Sequence, residues 1–161
     1  MSTGTSTERG TATESEVGVG DWKAGVVGGI TGAFVMGILV VQMNPPTLAV
    51  AIPSLYTLAP PPSTGIGMFV HISHGAVFGV AFAAIVGAVS LESTSKTVGL
   101  GAAWGVVTWA ILAGLMMPLW LSAVGSPASP PFPNFAPPSL LWHLVYGLVL
   151  GGVYNTVEER F

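Results

Sequence analysis

Four stretches of the chain, near residues 23–43, 67–90, 97–117 and 139–157, are apolar at nearly every position. A helix lying on a soluble core would interrupt such runs with a polar stripe, and a half-buried strand would alternate; these runs do neither. A helix of about 20 residues, rising ~1.5 Å per residue, crosses a hydrocarbon core of ~30 Å. The pattern predicts an all-α protein, an integral membrane four-helix bundle whose transmembrane domain occupies residues 22–157.

The segments between and around the spans are of two kinds. All 13 prolines fall in the connections after the first and third spans, within "PPTLAVAIPSLYTLAPPP" and "PLWLSAVGSPASPPFPNFAPP". These connections are apolar but broken by proline, and they are expected to lie on the outer membrane surface without crossing it. Residues 1–21, "MSTGTSTERGTATESEVGVGD", are rich in Ser, Thr, Gly and Glu and lack the apolar surface that would offset the entropy of ordering. This segment is expected to be a disordered cytoplasmic tail. Its acidic residues outnumber its arginine, and the following apolar run exceeds a signal-peptide core, so the first span is expected to be retained.

Charge sets the orientation. Arg9 and Lys23 precede the first span, Lys96 lies between the second and third, and Arg160 follows the fourth, so all basic residues share one side. The excess of Lys and Arg on cytoplasmic loops places both termini, with residues 158–161, in the cytoplasm of a multi-pass cell-membrane protein. Glu8, Glu14, Glu16, Asp21, Glu92, Glu158 and Glu159 lie on that side too, leaving the proline-rich connections without formal charge. Composition agrees: 51% of residues are hydrophobic and 7% charged, against roughly 25% charged in soluble domains. Cysteine is absent, which excludes disulfides and thiolate metal sites.

The chain repeats itself. At an offset of 73 residues Lys23 matches Lys96, Gly28 matches Gly101, Gly32 matches Gly105, Met43 matches Met116 and Pro45 matches Pro118. At an offset of 72, "HISHGAVFGVAF" lies over "HLVYGLVLGGVY", pairing His71 with His143, Gly75 with Gly147, Gly79 with Gly151 and His74 with Tyr146. Two tandem two-helix repeats, 23–90 and 96–157, are therefore expected, related by an axis along the membrane normal. The pairs Gly28/Gly32, Gly75/Gly79, Gly101/Gly105 and Gly147/Gly151 each occupy one helical face at i, i+4 spacing and are assigned to helix packing, where a missing side chain lets backbones approach.

His71, His74 and His143, with Tyr146 as repeat mate of His74, are the candidate binding residues. His71 and His143 sit at matching depth near the outer ends of the second and fourth spans, each followed four residues on by a glycine that leaves room beside the ring. That room suits a neighbouring helix that accepts the imidazole proton, or a flat cofactor: two symmetry-related imidazoles can ligate one haem b iron from opposite faces. Sensing of pH or contact with a substrate is a further role for such histidines. A copper site would add thioethers from Met43, Met68, Met116 or Met117, although methionine also fills gaps in apolar packing.

Other chemistries lack their residues. No carboxylate lies between Asp21 and Glu92 or between Glu92 and Glu158, so a carboxylate proton relay has no members. HExxH, CxxCH, GxSxG and phosphate-binding glycine loops are missing, and no catalytic residue is assigned. Trp22, Trp120 and Trp142 fall near span ends, as interfacial anchors do, whereas Trp104 and Trp109 lie inside the third span as packing residues.

The "HLVYGLVLGGVY" stretch, the four-span plan and the Thr/Glu-rich tail resemble small uncharacterised haloarchaeal membrane proteins, some of which carry the label "histidine kinase". The chain has no dimerisation helix with a phosphoacceptor histidine and no ATP-binding domain, so the resemblance implies no kinase reaction. The expected function is non-enzymatic: a small accessory or structural subunit of a membrane assembly, with a haem or copper site between the second and fourth spans. A small transporter or channel formed by oligomerisation is the alternative. The expected partners are the lipid bilayer and a larger membrane complex or further copies of the chain, with no nucleic acid.

Overall fold

The computed structural model describes residues 20–161 except Ser90 and Glu92. The tail expected over residues 1–21 lies outside the described residues as far as position 19. Among the described residues the chain is all-helical. Its four long helices, each long and apolar enough to cross a membrane, are α1 (Trp22–Met43), α2 (Thr64–Val89), α3 (Thr94–Ala123) and α4 (Pro137–Val157), the last extended by a 3-10 turn, Glu158–Arg160.

Each helix begins or ends for a local reason. Asp21 caps α1: its Oδ1 accepts from the backbone N–H groups of Lys23 (2.8 Å) and Ala24 (2.9 Å), two donors that the first turn leaves without partners. Pro45 and Pro46 follow its end at Met43. Pro137 and Pro138 open α4, where a missing N–H costs nothing and the fixed φ suits the first turn.

The proline-rich connections fold inward rather than merely resting on a surface. After α1 the chain forms a π-helical turn, Thr47–Ala51, and a short α-helical one, Ile52–Ser54, with Leu48, Pro53 and Ser54 almost fully buried. Pro53 cannot donate to the carbonyl of Ala49 one turn back, and the N–H of Ser63 takes that oxygen at 2.8 Å. The third span follows the same logic. It runs to Ala123 through a π-helical stretch, Trp109–Met116, and past Pro118; the carbonyl of Gly114 that Pro118 leaves free accepts from the N–H of Asn134 at 2.8 Å. The ring of Phe135 packs against Gly114 and lies 5.5 Å from that of Trp109.

Glycines face neighbouring helices, and many large apolar side chains face outward. Phe69, Val77, Ile111 and Leu119 are more than half exposed or close to it, whereas glycines line the contacts between helices. Gly25 lies against the Gly79 backbone and Gly29 against that of Gly75, which joins α1 to α2. Gly101 lies against Gly147, Gly105 against the His143 carbonyl and Gly151 against that of Thr97, which joins α3 to α4. These contacts recur at an offset of 72 on both helices: Gly29–Gly75 becomes Gly101–Gly147, and Gly25–Gly79 becomes Thr97–Gly151.

Gly28 and Gly32 therefore do not occupy the positions of Gly101 and Gly105. They face α4 instead, where a Cβ would meet the carbonyl oxygens of Leu150 (2.9 Å) and Tyr146 (2.8 Å). The glycine contacts thus follow an offset of 72 and not the offset of 73 read from the sequence; between them and the Pro45/Pro118 match lies the π-helical stretch, a conformation that takes up one extra residue in a helix.

Packing is closest between α1 and α2, between α3 and α4, and between α1 and α4; α2 and α3 scarcely touch, although a short turn joins them. Phe82 and Tyr154 meet edge to face at 5.7 Å across the centre, and the Tyr154 hydroxyl accepts from the Asp21 N–H at 3.0 Å. At the same end Lys23 Nζ stands 5.5 Å from the centre of the Phe161 ring.

Backbone-to-backbone contact makes the glycines intolerant of a methyl group. Gly79→Ala and Gly147→Ala should each destabilise the protein by about 1–3 kcal/mol in a detergent melt. Gly99→Ala and Gly152→Ala, which have open space beside them, should melt at or above the wild-type temperature. Equal melting of all four variants would contradict the packing described.

Candidate functional site

The ends of the helices remote from Trp22 surround a cavity of about 790 Å³. Each helix supplies a wall: Met36 and Val40 from α1, His71, His74 and Phe78 from α2, Leu112 and Met116 from α3, and Trp142, His143 and Tyr146 from α4. Both proline-rich connections reach over it, with Thr47, Leu55 and Tyr56 from the first and Ser129, Asn134 and Ala136 from the second. No charged side chain lines it, and most of the lining is apolar.

The structure brings the four predicted binding residues into this one cavity but gives each a different state. His71 is 8% exposed, and its Nε2 is buried with no hydrogen-bond partner. An orphaned buried polar atom costs about 1–3 kcal/mol, so His71 Nε2 calls for an explanation; the atom is closed off from the open space of the cavity, and the Cδ2 beside it lies toward Gly37 of α1. His143 donates Nδ1–H to the carbonyl of Ser139 one turn back (2.7 Å), since a carbonyl only accepts; in the neutral ring Nε2 then carries the lone pair. The orientation of this turn is further held by Trp109 Nε1–H donating to Ser139 Oγ (2.9 Å) and by Ser139 Oγ–H donating to the Ala136 carbonyl (2.7 Å).

His74 and Tyr146 are already engaged. His74 Nε2 and the Tyr56 hydroxyl lie 2.7 Å apart, a bond that ties the first connection to α2, with Phe78 stacked at a tilt behind the imidazole. Tyr146 donates its hydroxyl to the Gly75 carbonyl (3.1 Å), bridging α4 to α2 about one turn along each helix from His143 and His71. It forms a floor. The missing side chain at Gly75, which from the sequence leaves space beside His71, is filled by Ala33 and the Gly29 carbonyl of α1.

The methionines divide. Met43, Met116 and Met117 line the cavity, but Met43 Sδ accepts from Trp142 Nε1–H at 3.0 Å. Met68 stands apart, its thioether packed on Gly37. Met36, Tyr56 and Trp142 belong to the site without having been singled out from the sequence as part of it, because their placement depends on contacts between distant segments. The Trp120 indole, expected as an interfacial anchor, donates to the Leu55 carbonyl at 2.9 Å and so ties the first connection to α3.

Residues 19–161 match the model of a family described as "Family of unknown function (DUF6789)", and the chain belongs to that family. No curated protein and no solved structure matches the chain.

The Tyr146 hydroxyl is a single buried link between α2 and α4. Tyr146→Phe should cost about 1 kcal/mol in detergent thermal stability, within the range of interhelical hydrogen bonds in membrane proteins. A loss above 3 kcal/mol, or none, would mean that the bond has another role or does not form.

Proposed function

We propose that the chain is a multi-pass membrane protein of two tandem hairpin repeats, a small non-enzymatic subunit of a larger membrane assembly, that holds a b-type haem between His71 and His143. The observation that carries this reading is the buried, unpartnered Nε2 of His71 at the wall of an uncharged cavity that His143 also lines.

Several features support it. Helices that carry glycine inward and Phe, Val, Ile and Leu outward suit a hydrocarbon solvent, in which close packing rather than hydrophobic burial joins helices. The recurrence of contacts at 72 residues, and the meeting of Phe82 with its repeat mate Tyr154, fit two hairpins of common plan. His71 and His143 are repeat mates one turn beyond the Tyr146–Gly75 bond that links their helices. Neutral donors from Asn44, Thr47 and Asn134 line the cavity and are available to carboxylates of a macrocycle. When bound, haem would supply one-electron chemistry, its potential tuned by the two imidazoles and by the dry surroundings.

A macrocycle accounts for the space better than copper does. A lone ion has no need of about 790 Å³, and among the described residues no three His, Asp or Glu side chains converge. Copper would depend on two imidazoles plus thioethers, one of which already accepts a hydrogen bond from Trp142. For a transporter or channel the same cavity would be a substrate site, with the unpartnered imidazole as its recognition group.

Protein purified from its native membrane should contain about one haem per chain, with a Soret band. His71→Ala and His143→Ala should each abolish six-coordinate haem, whereas His74→Ala should retain it. Iron-free, fully assembled wild-type protein would contradict the proposal. The orientation has its own check: Ser122→Cys should react with an impermeant thiol reagent outside intact cells and Ser95→Cys should not. The reverse pattern would invert the topology.

A further inference from the structure

We propose that the cavity is entered sideways from the bilayer, between α2 and α3, and that Leu100 and Trp104 hold this portal open. The proposal rests on the haem reading for the identity of the ligand, but not for the route.

The reason lies in a difference between the two hairpins. Gly28 and Gly32 form the face of α1 on which α4 rests, and a Cβ at either would meet the α4 backbone. At the packing offset of 72 the equivalent positions of α3 are Leu100 and Trp104, two of the bulkier apolar side chains. Both pack inward against the buried cluster that contains Phe82 and Tyr154. They lie one position before Gly101 and Gly105, which face α4, so they occupy the adjoining face of α3. The approach that glycine grants to α1 and α4 is therefore denied to α3 and α2. This matches the packing, in which α1 and α4 are tightly joined and α2 and α3 are not.

The gap reaches the cavity. His74 and Phe78 on α2 and Leu112 and Met116 on α3 line it, and Met116 and Trp120 are each 53% exposed while doing so. At the outer end the mouth is strapped: Tyr56 bonds to His74, Trp120 bonds to the Leu55 carbonyl, and Asn134 bonds to Gly114. The covered end faces water and the parted wall faces lipid. With no charged side chain along the lining, the route suits a planar, lipid-soluble ligand and excludes small ions and polar metabolites.

The chain has no cysteine, so a single introduced thiol reports the route. Ala113, which lines the cavity from α3, becomes the reporter as Ala113→Cys in proteoliposomes, with Thr108→Cys as a near-isosteric second site. Ser122→Cys calibrates a sulfonated, membrane-impermeant maleimide, and Val77→Cys, 65% exposed on α2, calibrates an N-alkyl maleimide dissolved in the bilayer. Relative to those references, the cavity thiol should react at least tenfold faster with the bilayer reagent. Faster reaction with the impermeant reagent would overturn the proposal, because the cavity would then open through the outer connections.

Leu100→Gly combined with Trp104→Gly should let α2 close on α3 and slow bilayer labelling at least fivefold, and Trp104→Ala alone should slow it about twofold. Unchanged rates in both would overturn the role of the wedge. Hemin added to the membrane should protect Ala113→Cys. Bilayer labelling without hemin protection would leave the portal standing and remove haem as its ligand.

Discussion

Backbone contact at glycine is the constraint from which the rest of the structure follows. Where Gly25, Gly29, Gly75 and Gly79 meet, and again where Gly101, Gly147 and Gly151 meet their partners, two helix backbones touch with no side chain between them. Dispersion between close-packed atoms is individually weak, but it is summed over whole helix faces, and in hydrocarbon it replaces the hydrophobic effect as the force joining helices. A second set, Gly28 and Gly32, brings the two hairpins together through α1 and α4. With three of the four neighbouring helix pairs drawn tight, the remaining one decides the shape of the interior. Leu100 and Trp104 stand there in place of glycine, and the space left at the helix ends remote from Trp22 becomes the cavity.

The cavity is bounded as much by prolines as by helices. Pro53 and Pro118 each free a carbonyl one turn back, and each freed oxygen, on Ala49 and Gly114, is taken by a backbone N–H from the returning connection. A residue type that breaks helices thus anchors both connections over the site. The bonds from Tyr56 to His74 and from Trp120 to the Leu55 carbonyl complete the covering. Beneath it, several polar groups pair within the chain: Ser139 serves Trp109 and Ala136, His143 serves Ser139, and Tyr146 serves Gly75. Nε2 of His71 is buried among them without a partner.

Much of the architecture was legible because helices long and apolar enough to cross a membrane are defined by composition over a length, which needs no knowledge of contacts. The helix ends at Met43 and Pro137 follow from local proline. The packing register was less legible. Gly28 and Gly32 match Gly101 and Gly105 by identity, yet Gly29 is the residue whose contact Gly101 repeats, and only the π-helical stretch at Trp109–Met116 separates the two alignments. Nothing local announces a π turn. In the site, the histidines stood out as lone imidazoles in apolar runs, but their states depend on segments far away in the chain: Tyr56 engages His74, Gly75 engages Tyr146 across 71 residues, and Nε2 of His71 is left without a partner. Ser54, read as part of a surface connection, is buried because Leu48 and its neighbours fold into the bundle.

The central claim is that one iron is shared by imidazoles from two equivalent hairpins. Low-temperature electron paramagnetic resonance of the oxidised protein, purified from its native membrane, addresses it most directly, because the low-spin signal of a ferric haem reports its two axial ligands. The account predicts a low-spin, bis-imidazole spectrum integrating to about one spin per chain. A spectrum of high-spin haem, or a native protein with no iron signal, would contradict it.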